Sequence, residues 1–135
     1  MILKPNRKLV LAIDFDGTIV TDAYPNIGQL LPNAKQCIND LYEKHNCEIV
    51  IWTCRTGVEE FNCRNFLIEN NMHFTTINQN TPAVICRWNK DDSRKVYADI
   101  YIDDRSQYAN KQISWLNIYN FVLDYKYKLY PNKFI

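Results

Sequence analysis

Three apolar runs divide the first three quarters of the chain, and each stops at a polar residue with chemical potential. Leu9-Val10-Leu11-Ala12-Ile13 runs into Asp14-Phe15-Asp16-Gly17-Thr18, Ile49-Val50-Ile51-Trp52 into Thr53, and Ile100-Tyr101-Ile102 into Asp103-Asp104. Short continuous apolar runs of this kind read as strands buried on both faces. Between them the period changes. Pro32 opens a predicted helix to about His45, with Ala34, Cys37, Ile38 and Leu41 on one face. A second helix is predicted from about Val58 to Asn71, burying Phe61, Phe66, Leu67 and Ile68, and His73 to Ile77 reads as a short strand before an irregular stretch over residues 78–92.

Ile113, Trp115, Leu116, Tyr119, Val122 and Leu123 predict a terminal amphipathic helix. The tail after it, Tyr125-Lys126-Tyr127-Lys128-Leu129-Tyr130, interleaves aromatic and basic residues. Such a segment can stack on and neutralise a nucleic-acid strand, but alternation fits an edge strand or a packed terminus better. Alternating strands and helices favour an α/β, three-layer, Rossmann-like fold around a mainly parallel central sheet. In such a sheet, sites form beyond the carboxyl ends of the strands. The spacing therefore predicts that Asp14, Asp16, Thr53, Lys95, Asp103 and Asp104 share one crevice. An acid after a strand is also a common turn residue or helix cap, and the repetition at each strand end is what lifts the pattern above that.

Composition narrows the picture. With 135 residues, 47% of them hydrophobic, the chain can close one core and reads as a single domain, residues 1–135, ending in a terminal helix and tail over 110–135. Sixteen basic against 15 acidic residues leave a formal charge of +1, which gives no general attraction to nucleic acid or anionic membrane. No apolar stretch approaches the roughly 20 residues that span a bilayer, and the start Met1-Ile2-Leu3-Lys4-Pro5 lacks a signal-peptide core. A soluble, cytoplasmic protein is expected. Cys37, Cys47, Cys54, Cys63 and Cys86 form no Cys-x-x-Cys pair, which argues against a disulfide framework or a zinc knuckle. Cys54 follows Thr53, but no His lies near it in sequence; Arg55 is the neighbour that could activate a thiolate.

The motifs DFDGT, IWTCR, SRK and YIDDR, in that order, resemble those of the haloacid dehalogenase superfamily of phosphotransferases. The resemblance runs from about Leu9 to Arg105. It implies that Asp14 is a nucleophile forming an aspartyl-phosphate, and that Asp16 is the general acid and then the general base. It further implies Mg2+ held by Asp14, Asp103 and the backbone carbonyl of Asp16, with Asp104 binding directly or through water. Thr53, Lys95 and the amides of Gly17 and Cys54 would cradle the phosphate, with Arg94 as the alternate to Lys95. Magnesium has a reason to be there: a carboxylate about 5 Å from a phosphate charge at an effective dielectric of about 20 costs on the order of 3 kcal/mol per like-charged pair.

Arg55 and Arg105 are candidates to meet a substrate anion, although an ion pair with Asp104 suits Arg105 better. Residues 17–31 and 71–93 are too short for a folded cap, so the resemblance implies a capless phosphatase. Its open crevice would suit a phosphorylated macromolecule, or a small substrate if a neighbouring subunit of a homo-oligomer closes it. Tyr24, Pro25, Asn26, Arg87 and Trp88 are candidates for reading the leaving group. A phosphotransferase or pyrophosphatase uses the same residues, and a non-catalytic metal- or phosphate-binding module is the alternative from a different class.

Overall fold

The computed structural model describes residues 7–89, 91–106 and 112–135, and for Trp88 and Asn89 the backbone alone. It is an α/β structure with a four-stranded, all-parallel sheet in a Rossmann-like arrangement. The elements are β1 (Leu9–Ile13), α1 (Ala34–Lys44), β2 (Cys47–Ile51), α2 (Gly57–Glu69), β3 (Thr76–Ile77), α3 (Pro82–Val84), β4 (Ile100–Ile102) and α4 (Trp115–Asp124). α3 runs on into a π-helical segment, Ile85–Asn89, and α4 into another, Tyr125–Leu129. The sheet order is β3-β2-β1-β4. All five residues of β1 are buried, as a central parallel strand requires.

Alternation along the strands sorts the core into two clusters. Leu9, Leu11 and Ile13 of β1 and Cys47, Ile49 and Ile51 of β2 pack with residues of α1, α2 and α4. Val10, Ala12 and Val50 point the other way, to Val84, Val96 and Ala98. The predicted α1 face of Ala34, Cys37, Ile38 and Leu41 is the buried one.

α2 departs from expectation. It buries Cys63 and Leu67, leaves Phe66 partly buried, and exposes Phe61 and Ile68. The strand predicted over His73 to Ile77 is shorter, because only Thr75 joins it to β2 outside the ladder, its amide donating to the Ile49 carbonyl and its hydroxyl accepting from the Ile49 amide, while the His73 amide donates to Asn39 of α1. The supposedly irregular stretch holds a helix, started by the Thr81 hydroxyl accepting from the Val84 amide and by Pro82 at its first position. The tail is a helical continuation and not an edge strand. Lys126 is buried there, its ammonium donating to the carbonyl of His45 at the end of α1.

The topology decides where a site can form. From β1 the chain moves outward through β2 to β3, then crosses back to place β4 on the other side of β1. The β1–β4 junction is therefore a switch point of the kind where parallel sheets open a crevice. β1 and β4 are in register there, Ile13 opposite Ile102.

Candidate functional site

Asp14 follows Ile13 and Asp103 follows Ile102, so the register that aligns the strand ends also brings the acids together. The Asp14 amide donates to the Ile102 carbonyl at 2.9 Å, extending the ladder one step past the strand. Carboxylate oxygens of Asp14, Asp103 and Asp104 all lie within 4.8 Å of one another. Burial pushes the Asp14 carboxyl up to about 8, helped by a hydrogen bond with Asp104 and the charges of Asp103 and Asp104, and opposed by the bond from Thr18. Three oxygen donors this close, with negative charge in excess, form a set suited to a hard divalent cation.

Thr18 fixes the cluster from beneath. Its buried hydroxyl lies 3.0 Å from Asp14 Oδ2 and 3.2 Å from Asp104 Oδ1, and it accepts the Asp104 amide at 3.0 Å. Its carbonyl accepts the indole N–H of buried Trp115 at 2.8 Å, which ties α4 to the site. Gly17 has φ +86°, a left-handed conformation that glycine adopts freely. Its amide donates to the Val20 carbonyl at 2.7 Å, so it closes the turn and does not cradle a phosphate as expected. Among the described residues the amides of Phe15, Asp16, Cys54 and Asp103 have no acceptor, and they are donors open at the strand ends.

Asp16 stands apart from the three clustered acids, because Arg55 holds both of its oxygens: Nε to Oδ2 and Nη2 to Oδ1, each at 2.7 Å. Arg55 is 1% exposed and its remaining N–H groups donate to the carbonyls of Pro25, Asn26 and Glu59. Its expected contact with a substrate anion is therefore corrected to an internal one. The hydrogen bonds and charge of Asp16 raise the guanidinium pKa further, against the effect of burial.

Thr53 reaches the same edge from β2. Its amide donates to Asn78 Oδ1 at 2.8 Å and its hydroxyl accepts the Arg55 amide at 3.1 Å, while Asn78 Nδ2 donates to the Arg55 carbonyl at 3.3 Å. Asn78 ends β3 with φ 55° and went unflagged in the sequence. An Asn directly after a strand, where a left-handed residue is needed, was the available signal.

Lys95 is not brought into the cluster. Its ammonium lies 5.0 Å from the centre of the Tyr101 ring and forms no ion pair among the described residues. Tyr101 sits opposite Ala12 on β1, whose side chain belongs to the smaller core cluster. Arg94 is exposed. Arg105 does not pair with Asp104; it lies 3.6 Å from Asp22 and is highly exposed, and its amide donates to Asp103 Oδ1 at 2.8 Å. Cys54 is exposed, and among the described residues its sulfur has no hydrogen bond that would activate it. Arg87 lines a groove of about 380 Å³ with Val10, Glu48 and Val84, away from the acids, and the Trp88 side chain lies outside the described residues.

No helix among the described residues is long and apolar enough to cross a membrane. No family model matches the chain, and no curated protein matches it. Among solved structures it is similar to that of a conserved protein coded by a locus of Bacteroides thetaiotaomicron, at 28% sequence identity and a TM-score of 0.75, covering 89% of this chain and 93% of the other. The two chains share the fold over nearly their whole length.

Proposed function

We propose that the protein is a magnesium-dependent phosphatase of the haloacid dehalogenase type, built on an uncapped, three-layer form of the α/β fold. The observation that carries the reading is the clustering of Asp14, Asp103 and Asp104 within 4.8 Å at the β1–β4 switch point. An acidic cluster alone would be weak support. Here one member stands at the head of a DFDGT turn, and Thr53, whose hydroxyl accepts the Arg55 amide, ends the neighbouring strand β2.

Asp14 attacks the phosphorus of a phosphomonoester, forming an O–P bond while the bond to the leaving oxygen breaks. Asp16 gives its proton to that oxygen. Water then adds to phosphorus, Asp16 takes its proton back, and the aspartyl O–P bond breaks to free phosphate. The amides of Phe15, Asp16 and Cys54 donate to the phosphoryl oxygens. Asp14, Asp103 and Asp104, with the Asp16 carbonyl, fit Mg2+, which when bound supplies charge neutralisation and orients the phosphoryl group. Phosphoryl transfer to an acceptor other than water, or pyrophosphate cleavage, uses the same groups.

A second reading, a metal- or phosphate-binding module without chemistry, draws on the position of Lys95 over Tyr101 and on Asp16 being held by Arg55. One experiment separates them: Mg2+-dependent phosphate release from an aryl phosphate by the wild type and Asp14→Asn side by side. Release by the wild type alone, abolished reversibly by chelation, supports the phosphatase. Equal release by both sinks it, and metal binding without release moves the weight to the module.

A further inference from the structure

Arg55 has five N–H groups, and each has an acceptor. Two are the oxygens of Asp16 at 2.7 Å; the others are the carbonyls of Pro25 at 3.1 Å, Asn26 at 2.9 Å and Glu59 at 3.4 Å. The guanidinium carbon also lies 5.4 Å from the Phe15 ring and 5.1 Å from the Tyr24 ring. One side chain thus joins the turn after β1, the segment over residues 21–29 and the first turn of α2. That segment is itself closed at its base: the Thr21 amide donates to the Gln29 carbonyl at 2.8 Å, the Gln29 amide donates to the Thr21 hydroxyl at 3.0 Å, and Val20 bridges Leu30. With the base tied, Ile27 packed against the core and Asp22 beside Arg105, the carbonyls of the tip at Pro25 and Asn26 are held by the buried Arg55 guanidinium.

From this geometry we infer that Arg55 is a positioning residue that couples Asp16 to the flap over residues 21–29, so that the carboxylate and the Tyr24-Pro25-Asn26 tip hold or leave their places together. The inference rests on the phosphatase reading for the role of Asp16, but the coupling itself is a property of the fold. A lysine cannot reproduce it. Its ammonium has three donors from one point, whereas Arg55 uses a planar fork on the carboxylate and three further donors in other directions. Breaking either end removes a buried charge's partner, so neither Asp16 nor the flap tip is indifferent to the other. Because the same guanidinium holds the Asp16 carboxylate and the tip carbonyls of Pro25 and Asn26, the pair keeps the acid–base group and the tip in register.

Two measurements test it, one independent of activity. Hydrogen exchange at the flap amides should quicken in Asp16→Asn as well as in Arg55→Met and Arg55→Lys, although residue 16 makes no direct contact with the flap carbonyls. Unchanged flap exchange in Asp16→Asn, with the fold intact by circular dichroism, overturns the coupling. In the second, kcat on an aryl phosphate should fall on the order of 10²-fold in Arg55→Met, the scale of lost acid–base catalysis. The loss should be non-additive with Asp16→Asn, and added ethylguanidinium should partly restore it in Arg55→Ala. A rise in KM alone, additive with Asp16→Asn, would make Arg55 a substrate contact and overturn the proposal. A wild type that releases no phosphate removes the phosphatase reading, and the exchange result then decides the coupling by itself.

Discussion

A Cβ placed on Gly17 would stand 2.4 Å from Oδ2 of Asp104, so the turn after β1 and the acids after β4 fit only because residue 17 has no side chain. The left-handed φ of +86° adds a second requirement. Gly17→Ala should therefore lose about 1–2 kcal/mol from the backbone alone, a few degrees in melting temperature. The clash also displaces a carboxylate of the cluster, so Mg2+ affinity should drop about 10-fold or more, as it does when a ligand loses its orientation. Calorimetric Mg2+ titration beside a thermal melt checks both. A variant that loses stability with unchanged affinity would show that Asp104 does not contribute to the metal site.

The Asp14 carboxyl, held up to about 8 chiefly by burial and then by Asp104 and Asp103, makes the metal-free protein sensitive to pH. In the unfolded chain the same group titrates near 3.8. Between those values the folded state keeps a proton that the unfolded state releases. Stability from this group is thus complete below about pH 4 and falls as pH rises toward 8, with a slope of at most about 1.4 kcal/mol per pH unit, reduced by solvent screening. Under the phosphatase reading Mg2+ would take the place of the proton, so its stabilising increment should grow over the same range. Melts from pH 5 to about 8.5, in chelator and in Mg2+, should show a falling chelator series for the wild type and a flatter one for Asp14→Asn. Parallel series would place the charge strain elsewhere.

At the opposite end of β1, Arg7 holds Asp99 through Nη1 to Oδ2 at 2.9 Å and Nη2 to Oδ1 at 2.7 Å. Asp99 Oδ2 also accepts the Val10 amide at 2.8 Å, so the carboxylate closes the start of the central strand. Burial pushes this carboxyl up, but the bonds from Arg7, Val10 and Tyr97 outweigh it and hold it below its ordinary value. Its contribution is present above the unfolded-state value and is lost as pH falls through the lower folded one. Arg7→Met leaves the carboxylate, 1% exposed, without its cation, and should cost about 3–5 kcal/mol. Denaturant melts of Arg7→Met, Asp99→Asn and the double variant check it: the double variant should recover part of the loss. A fully additive pair would mean that the two groups do not act on each other.

Much of this was legible because β1, β2 and β4 are nearly unbroken apolar runs, and a parallel strand buried on both faces has no other way to be written. The ends of those runs located Asp14, Thr53, Asp103 and Asp104 on one edge. What the sequence hid is pairing across long separations. Nothing near Arg55 indicates a carboxylate 39 residues earlier, so its side chain read as a free cation in an open site. Lys95 was placed by motif order, and motif order carries no information about a ring at Tyr101 that can hold the ammonium. α2 misled for a related reason: Phe61 and Ile68 are large and apolar, but the surface that α2 offers to the core is narrow and is filled by Cys63 and Leu67. For the tail, alternating Tyr and Lys satisfies a period of two and left an edge strand and a packed terminus both open; buried Lys126 on the His45 carbonyl, with Tyr125 against the core, goes with the packed terminus.

That contact gives a last expectation. Lys126 is 5% exposed, and its ammonium donates to a carbonyl left open at the end of α1. His45 itself is held on both ring nitrogens, Nδ1 by the Tyr127 hydroxyl at 3.0 Å and Nε2 by the Tyr119 hydroxyl at 3.1 Å. Burial lowers its pKa, and the charges of Lys126 and Lys44 add to the effect while Asp40 opposes it. The unfolded chain therefore takes up a proton on His45 before the folded one does, and this part of the stability is present above about pH 6.5 and declines as pH falls below it. Lys126→Met keeps the apolar stem and removes the charged donor, so it should cost about 1.5–3 kcal/mol. It should also quicken hydrogen exchange across 125–129 and weaken the acid sensitivity, since the imidazole no longer faces an ammonium. Melts at pH 5.5 and 7.5 with exchange on the same samples test the three effects together. Slow exchange in Lys126→Met would show that the aromatic contacts alone keep the C-terminal helix docked on α1.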